Sequence, residues 1–68
     1  MGSQKQIGEN IKKAREKAGK TQEVVAQEAG IHVSYYSRIE RGVVNPSIEV
    51  LESIAKVLKV KSSVILPF

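Results

Sequence analysis

The side chains that could perform chemistry are few in this sequence. It has no cysteine and one histidine, His32, among 68 residues, so it can form neither a disulfide nor a thiolate metal cluster, and it cannot build a structural zinc site. Ser34 and Ser37 lie near His32 and would form a nucleophile and base only by accident of sharing one helix. A phosphate-cradling glycine loop is also missing. We therefore predict a protein that is not an enzyme and binds no cofactor, metal or small molecule.

The charge balance favours an acidic polymer as a partner. Eleven Lys and Arg against seven Asp and Glu give a net charge of +4. Residues 1–20 hold six of the cations and two of the anions, so the basic character is concentrated at the start of the chain. Such a balance is typical of nucleic-acid binding, and a merely solvated surface is the alternative.

The length and composition predict one globular domain. Apolar residues make up 41% and charged residues 26% of the chain, which is a folded composition. We expect a single domain over residues 1–68 with its core in 7–66, and residues 1–3 as a disordered end or a cloning scar. No apolar run approaches the roughly 18 residues that span a bilayer, and no secretory signal is visible, so we expect a cytoplasmic protein without a membrane partner.

Apolar periodicity predicts five short helices and no strand. The first covers about residues 4–18, with a capping box formed by Ser3 and Gln6 and a stop at Gly19. The second follows Thr21 as N-cap and ends at Gly30, and the third lies within residues 31–41. The fourth carries the widest apolar stripe, and one last turn follows a cap at Ser62. The expected core residues are Ile11, Val25, Ala26, Ile39, Leu51, Ile54, Ala55 and Leu58.

The second and third helices have the pattern of a helix-turn-helix. Two helices that cross steeply through a short turn need a small residue at the crossing and a glycine in the turn. Ala26 and Gly30 occupy these places. The segments 21–26, 30–31, 34–42, 45–47 and 51–55 together resemble the lambda-repressor-like family of phage and bacterial regulators, and the resemblance covers about residues 7–66. It implies a compact all-α, five-helix DNA-binding domain.

The resemblance also implies roles for individual residues. In that family the third helix lies in the major groove of double-stranded DNA, and the start of the second helix lies against the phosphates. The corresponding base-contacting residues are His32, Val33, Ser34 and Arg38. The corresponding phosphate-contacting residues are Thr21, Gln22, Tyr35, Ser37 and Arg41. For His32 three roles stay open: a poor helix cap, a base contact or a solvated side chain. For Tyr35 edge packing is the alternative.

One further pair of residues matches the family, and two residues depart from it. Arg15 and Glu40 stand where family members often join the first helix to the third, so we expect a partly buried ion pair. Tyr36 replaces the usual Ile or Leu, and we expect it in the core with its hydroxyl at the rim. Lys59 stands where the family often has glycine, which predicts a strained left-handed residue.

The apolar end of the chain predicts self-association. One recognition helix reads too few bases for a genomic site, so two copies are expected on an inverted repeat. In the resembling family the segment after helix four lies at the dimer interface, so we expect a homodimer through residues 62–68 and the end of helix four. The apolar residues of that segment are Val64, Ile65, Leu66 and Phe68. The function expected is that of a small homodimeric transcriptional regulator, similar to small phage repressors or restriction–modification controller proteins. The alternative is a protein-interaction module of the same fold, such as an antitoxin or adaptor.

Overall fold

The computed structural model describes residues 3–67, and these form five α-helices and no strand. The helices are α1 (Ser3–Lys17), α2 (Gln22–Ala29), α3 (Val33–Arg41), α4 (Ile48–Leu58) and α5 (Ser62–Ile65). The all-α prediction is confirmed, and the boundaries agree with the sequence pattern to within about two residues, which is the usual uncertainty of helix ends.

Side-chain caps begin three of these helices. The hydroxyl oxygens of Thr21 and Ser47 accept from the backbone N–H groups of Val24 and Val50, each at 3.2 Å. Such caps satisfy helix-end donors that lack intrahelical partners. Two other predicted caps are wrong. Ser3 already lies inside α1, where Gln6 donates to Asn10 instead. Ser62 is likewise the first residue of α5, whose N-cap is Lys61 without a side-chain bond.

The core is one continuous apolar cluster to which all five helices contribute. All eight predicted core residues are buried. The cluster also contains Tyr36, as expected, and the structure adds Ile7 and Ile65. Tyr36 and Ile11 are fully buried, and Ile65 is only 1% exposed. Since burial of a large apolar side chain contributes about 1.5–3 kcal/mol, this cluster is the main source of stability.

The two ends of the described chain meet across this core. The side-chain amide nitrogen of Asn10 in α1 donates to the backbone oxygen of Ile65 in α5 at 2.9 Å, although 55 positions separate them. The bond satisfies a carbonyl at the end of α5. Among the helices of residues 3–67, none has the length and apolar character needed to cross a membrane.

The backbones of α1 and α3 approach closely where Gly8 faces the end of α3. A Cβ atom placed on Gly8 would lie 2.4 Å from the backbone oxygen of Glu40 and 2.5 Å from that of Ile39. Neither distance is compatible with a side chain, so only glycine fits without a backbone shift. Gly8 therefore sets the distance between α1 and α3.

Candidate nucleic-acid interface

A tight turn of three residues joins α2 to α3. Gly30 adopts a left-handed conformation with φ 75°, and the backbone N–H of Ile31 donates to the carbonyl of Ala26 at 3.0 Å. These features end α2 in the way typical of a glycine cap. Ala26 is 1% exposed and Val25 is fully buried, so the crossing between the helices has no room for larger side chains. Helices α2 and α3, with the turn between them, form the predicted helix-turn-helix.

The two faces of α3 differ in character. Its inner face, made of Tyr36, Ile39 and Glu40, is buried against the core. Its outer face exposes Ser34, Arg38 and Arg41, with His32 exposed at the preceding cap position. The half-buried residues Val33, Tyr35 and Ser37 lie between these faces. The outer face thus carries hydrogen-bond donors and positive charge, while the one acid of α3 points inward.

That inward acid is the centre of a polar group, the Glu40 cluster, which consists of Arg15, Gln22, Tyr36 and Glu40. The Arg15 Nε donates to Glu40 Oε2 at 2.7 Å, and its Nη2 donates to Oε1 at 3.3 Å. The Gln22 Nε2 also donates to Oε1, at 2.9 Å. The Tyr36 hydroxyl donates to Oε2 at 2.6 Å. One buried carboxylate therefore joins α1, α2 and α3.

The Glu40 cluster confirms one expectation and corrects another. The ion pair of Arg15 and Glu40 is present, with side chains 14% and 3% exposed. The Tyr36 hydroxyl, however, does not reach the rim of the protein, because it is buried and donates to Glu40. A carboxylate one helical turn away offers a stronger partner than water would at the surface. Among the described residues, no buried side-chain nitrogen or oxygen lacks a partner.

The cluster changes the proton affinities of its members. Burial alone would raise the pKa of Glu40, but the bonds from Arg15, Tyr36 and Gln22 outweigh it and hold that pKa below its ordinary value. Burial, with the bond to Glu40, raises the pKa of Tyr36. The hydrogen bond to Glu40 raises the pKa of Arg15. Glu40 is therefore ionised and Tyr36 protonated in the folded protein at neutral pH.

The start of α2 keeps free hydrogen-bonding capacity although its side chains are engaged. The Thr21 oxygen accepts from Val24, which leaves the hydroxyl hydrogen available to donate. Gln22 uses one amide hydrogen on Glu40, which leaves the second. Gln22 lies beside α3, because its amide donates to Glu40, and Thr21 precedes it as the N-cap of α2.

His32 is the N-cap of α3. Its Nδ1 lies 3.3 Å from the backbone nitrogen of Ser34 and 2.9 Å from the Ser34 hydroxyl oxygen. Of the three roles considered for His32 from the sequence, the structure shows that of helix cap, and the side chain is also exposed. The base contact of His32 stays a prediction, because this geometry does not test it.

Two parts of this site were not found from the sequence. The sequence does not single out Gly8, because an isolated glycine within a helical pattern has several meanings, of which close packing is one. The engagement of Gln22 and Tyr36 by Glu40 was missed because no periodic pattern reports which polar side chains meet inside a core.

The tail corrects part of the predicted dimer interface. Ile65 is 1% exposed in the single chain, so it has almost no surface left to bury against another copy. Its side chain fills the core between α1 and α4 instead. Val64 is 50% exposed and Leu66 is half-buried, while Phe68 lies outside the described residues. Leu66 lines a small apolar groove together with Ile48, which is 54% exposed.

Comparison with known proteins defines the class to which this arrangement belongs. A family model described as "Helix-turn-helix" matches residues 11–65. The chain belongs to this helix-turn-helix family, a result that confirms the resemblance found from the sequence. Membership also agrees with the prediction that the protein is not an enzyme.

Individual relatives and a solved structure extend this result. The chain is 44% identical over 55 residues to the HTH-type transcriptional regulator SinR of Bacillus subtilis, covering 79% of this chain and 50% of SinR. It is 37% identical over 60 residues to the Uncharacterized HTH-type transcriptional regulator y4dJ of Sinorhizobium fredii, covering 88% of this chain and 78% of y4dJ. The chain thus spans about half the length of SinR.

The fold also matches the crystal structure of the restriction-modification controller protein C.AhdI from Aeromonas hydrophila. The TM-score is 0.92 at 24% sequence identity, and the alignment covers 97% of this chain and all of the C.AhdI chain. At this identity the match shows the five-helix fold alone.

Proposed function

We propose that this chain binds specific sequences of double-stranded DNA as a homodimeric transcriptional regulator, with α3 in the major groove. The observation that carries the proposal is the division of α3 into a face fixed by the Glu40 cluster and an outer face of donors and cations. A helix held firmly by its inner face can present its outer face in one orientation. The names of SinR and y4dJ as transcriptional regulators support this function.

In this proposal the exposed face of α3 supplies the base contacts. Arg38 can donate two hydrogen bonds to guanine O6 and N7, Val33 can contact a thymine methyl group, and His32 and Ser34 can bond base edges. The phosphate contacts come from two groups of residues around that face: Thr21 and Gln22 at the start of α2, and Tyr35, Ser37 and Arg41 on α3. Phosphate contacts position the helix, while base contacts give specificity.

Selection of bound sequences from a random duplex library, at stated salt, tests DNA binding directly. We expect enrichment of one motif. Arg38→Ala should weaken binding to that motif by about 1–3 kcal/mol and relax the preference at one base pair. Lys56→Ala is the matched control, because it removes a cation from the exposed surface of α4 and should leave the preference unchanged. Equal losses on selected and random DNA would assign Arg38 to the phosphates, and no enrichment would favour the protein-interaction module.

The homodimer follows from the information that one α3 can read. A single recognition helix contacts about three or four base pairs, so two copies with their recognition helices about 34 Å apart would read an inverted repeat. Val64 and Leu66 at α5, with Phe68 beyond them, remain the proposed interface, and the groove beside Leu66 adds Ile48 to it. Covering exposed apolar side chains of this size with a second copy lowers the free energy and so stabilises a dimer.

Charged substitutions test the interface without disturbing the core. Ile48→Asp is suitable, because an acidic residue is favourable in the first turn of α4. Val64→Asp changes the exposed side chain of α5. Both should shift the sedimentation coefficient toward that of a monomer, whereas Val43→Asp, at a valine 63% exposed in the loop after α3, should not. If the two variants sediment like the wild type, this interface is wrong.

A further inference from the structure

The cap that begins α3 restricts where hydrogens can lie on His32. A backbone N–H can only donate, so the 3.3 Å contact from the Ser34 nitrogen requires that Nδ1 accept. A hydrogen on Nδ1 would point at that N–H and remove the cap. In a neutral imidazole one nitrogen donates while the other accepts, so the remaining hydrogen lies on Nε2. The exposed edge of His32 is therefore a donor.

The same contact fixes the polarity of Ser34. Its hydroxyl oxygen lies 2.9 Å from the unprotonated Nδ1, so the hydroxyl donates its hydrogen there. The lone pairs of the Ser34 oxygen then remain available, and the exposed serine acts as an acceptor. The His32–Ser34 pair is thus a donor and an acceptor held side by side at the start of α3.

We propose that the His32–Ser34 pair selects bases by this fixed polarity, with His32 donating to guanine and Ser34 accepting from the amino group of cytosine or adenine. The inference rests on the proposed DNA-binding function. In the major groove guanine presents two acceptors, N7 and O6, and no donor, whereas cytosine N4 and adenine N6 are amino donors. Guanine therefore fits the Nε2 donor, and an amino-bearing base fits the Ser34 oxygen.

Reversing the polarity at position 32 is the decisive experiment. Aspartate is a good N-cap and suits the positive end of a helix, so His32→Asp retains the start of α3. Its carboxylate only accepts hydrogen bonds, so the preferred base at one position of the selected motif should change from guanine to cytosine or adenine. The relative affinity for the two bases at that position should change by about tenfold. Ser34→Ala should relax the preference at a neighbouring position.

A matched control separates base recognition from capping and charge. Ser47→Asp makes the same kind of change at the N-cap of α4, where Ser47 accepts from Val50. It should leave every base preference unchanged. If His32→Asp also leaves them unchanged while the protein still enriches the wild-type motif, His32 is only a cap and the inference is overturned.

Two further measurements test the polarity by itself. Replacing the selected guanine by 7-deazaguanine, which lacks N7 and retains O6, distinguishes N7 from O6 as the acceptor. If N7 accepts, the 7-deaza change should weaken wild-type binding severalfold and leave binding by the His32→Asp variant unaffected. A wild type that binds guanine no better than any other base at this position would overturn the contact. In the free protein, nitrogen NMR of the neutral imidazole should show hydrogen on Nε2 alone, and a hydrogen on Nδ1 would overturn the inference.

The wild-type selection distinguishes this inference from the function on which it rests. Enrichment of a motif by the wild type supports DNA binding whatever the His32 variant does. Absence of any enriched motif contradicts DNA binding and overturns the base assignment with it, while the NMR result still reports whether the hydrogen-bond polarity was inferred correctly.

Discussion

The contact between α1 and α3 and the contact between α4 and α5 stabilise one core by different means. Where α1 crosses α3, Gly8 allows the backbones to approach and the Glu40 cluster joins three helices through hydrogen bonds. Where α4 meets α5, the packing is apolar, Lys59 has a left-handed conformation with φ 58°, and α5 lacks a side-chain cap.

The difference shows where the protein requires precise geometry. Hydrogen bonds depend on direction, whereas the hydrophobic effect does not. The polar contact therefore fixes how α3 is oriented, while the apolar contact fixes only that α5 covers the core. We expect substitutions in the first region to have larger effects than substitutions in the second.

Removing the central carboxylate should have the largest effect. Glu40→Ala leaves the donors of Arg15, Tyr36 and Gln22 without their acceptor, and breaking a buried pair costs about 3–5 kcal/mol. Urea unfolding measures the loss. Glu28→Ala is the control, because Glu28 forms a surface pair with Lys20 and its side chain is 49% exposed. Such pairs contribute about 0.5 kcal/mol, and equal losses in both variants would contradict the role of the cluster.

Widening the close approach of α1 and α3 should have the next largest effect. Gly8→Ala places a methyl group against the backbone oxygens of Ile39 and Glu40. We expect a loss of about 1–3 kcal/mol in unfolding free energy, as overpacking causes, despite the better helix propensity of alanine. Glu9→Ala, at the exposed neighbouring position, should change stability by less than about 0.5 kcal/mol. A gain from Gly8→Ala would show that the contact can relax.

In the second region, one substitution should stabilise the protein. Lys59→Gly removes the strain of a left-handed residue that carries a Cβ atom, and we expect a gain of about 1 kcal/mol. Thermal unfolding measures it. Lys61→Gly is the comparison, because Lys61 has an ordinary φ of −72° and glycine relieves nothing there. Equal changes in the two variants would assign the effect to lost charge.

Acid should weaken the first region through the lowered pKa of Glu40. A carboxyl with a lower pKa when folded stabilises the fold fully above its unfolded pKa of about 4.3 and loses that contribution as the pH falls through the folded value. Glu40→Gln should therefore lose stability less steeply than the wild type below about pH 5. Glu52→Gln, at an exposed position, should keep the wild-type slope.

The sequence predicted the helices and the core because both depend on local and periodic signals. Gly30 and Gly42 marked helix ends, and the stripe from Leu51 to Leu58 marked the buried face of α4. The ion pair of Arg15 and Glu40 came from a family resemblance.

What could not be predicted depends on which distant side chains meet. The sequence places the ring of Tyr36 in the core, but it does not show that the hydroxyl donates to Glu40 rather than reaching the rim. In the sequence, Ile65 belongs to an apolar tail that predicts a dimer interface. Only the positions of α1 and α4 show that its side chain is covered within one chain. His32 is an unusual cap, so its capping bond required coordinates.

The bond from Asn10 to Ile65 has a consequence for cooperativity. Helices α1 and α5 are far apart in the chain but are joined by this bond. Helix α5 therefore cannot detach without exposing Ile65 and leaving the Asn10 amide without its acceptor. Local fraying at that end is therefore opposed by α1. Backbone amides of the central turns of α1 should then exchange with deuterated solvent mainly through global opening, even though α1 is the helix nearest the start of the chain.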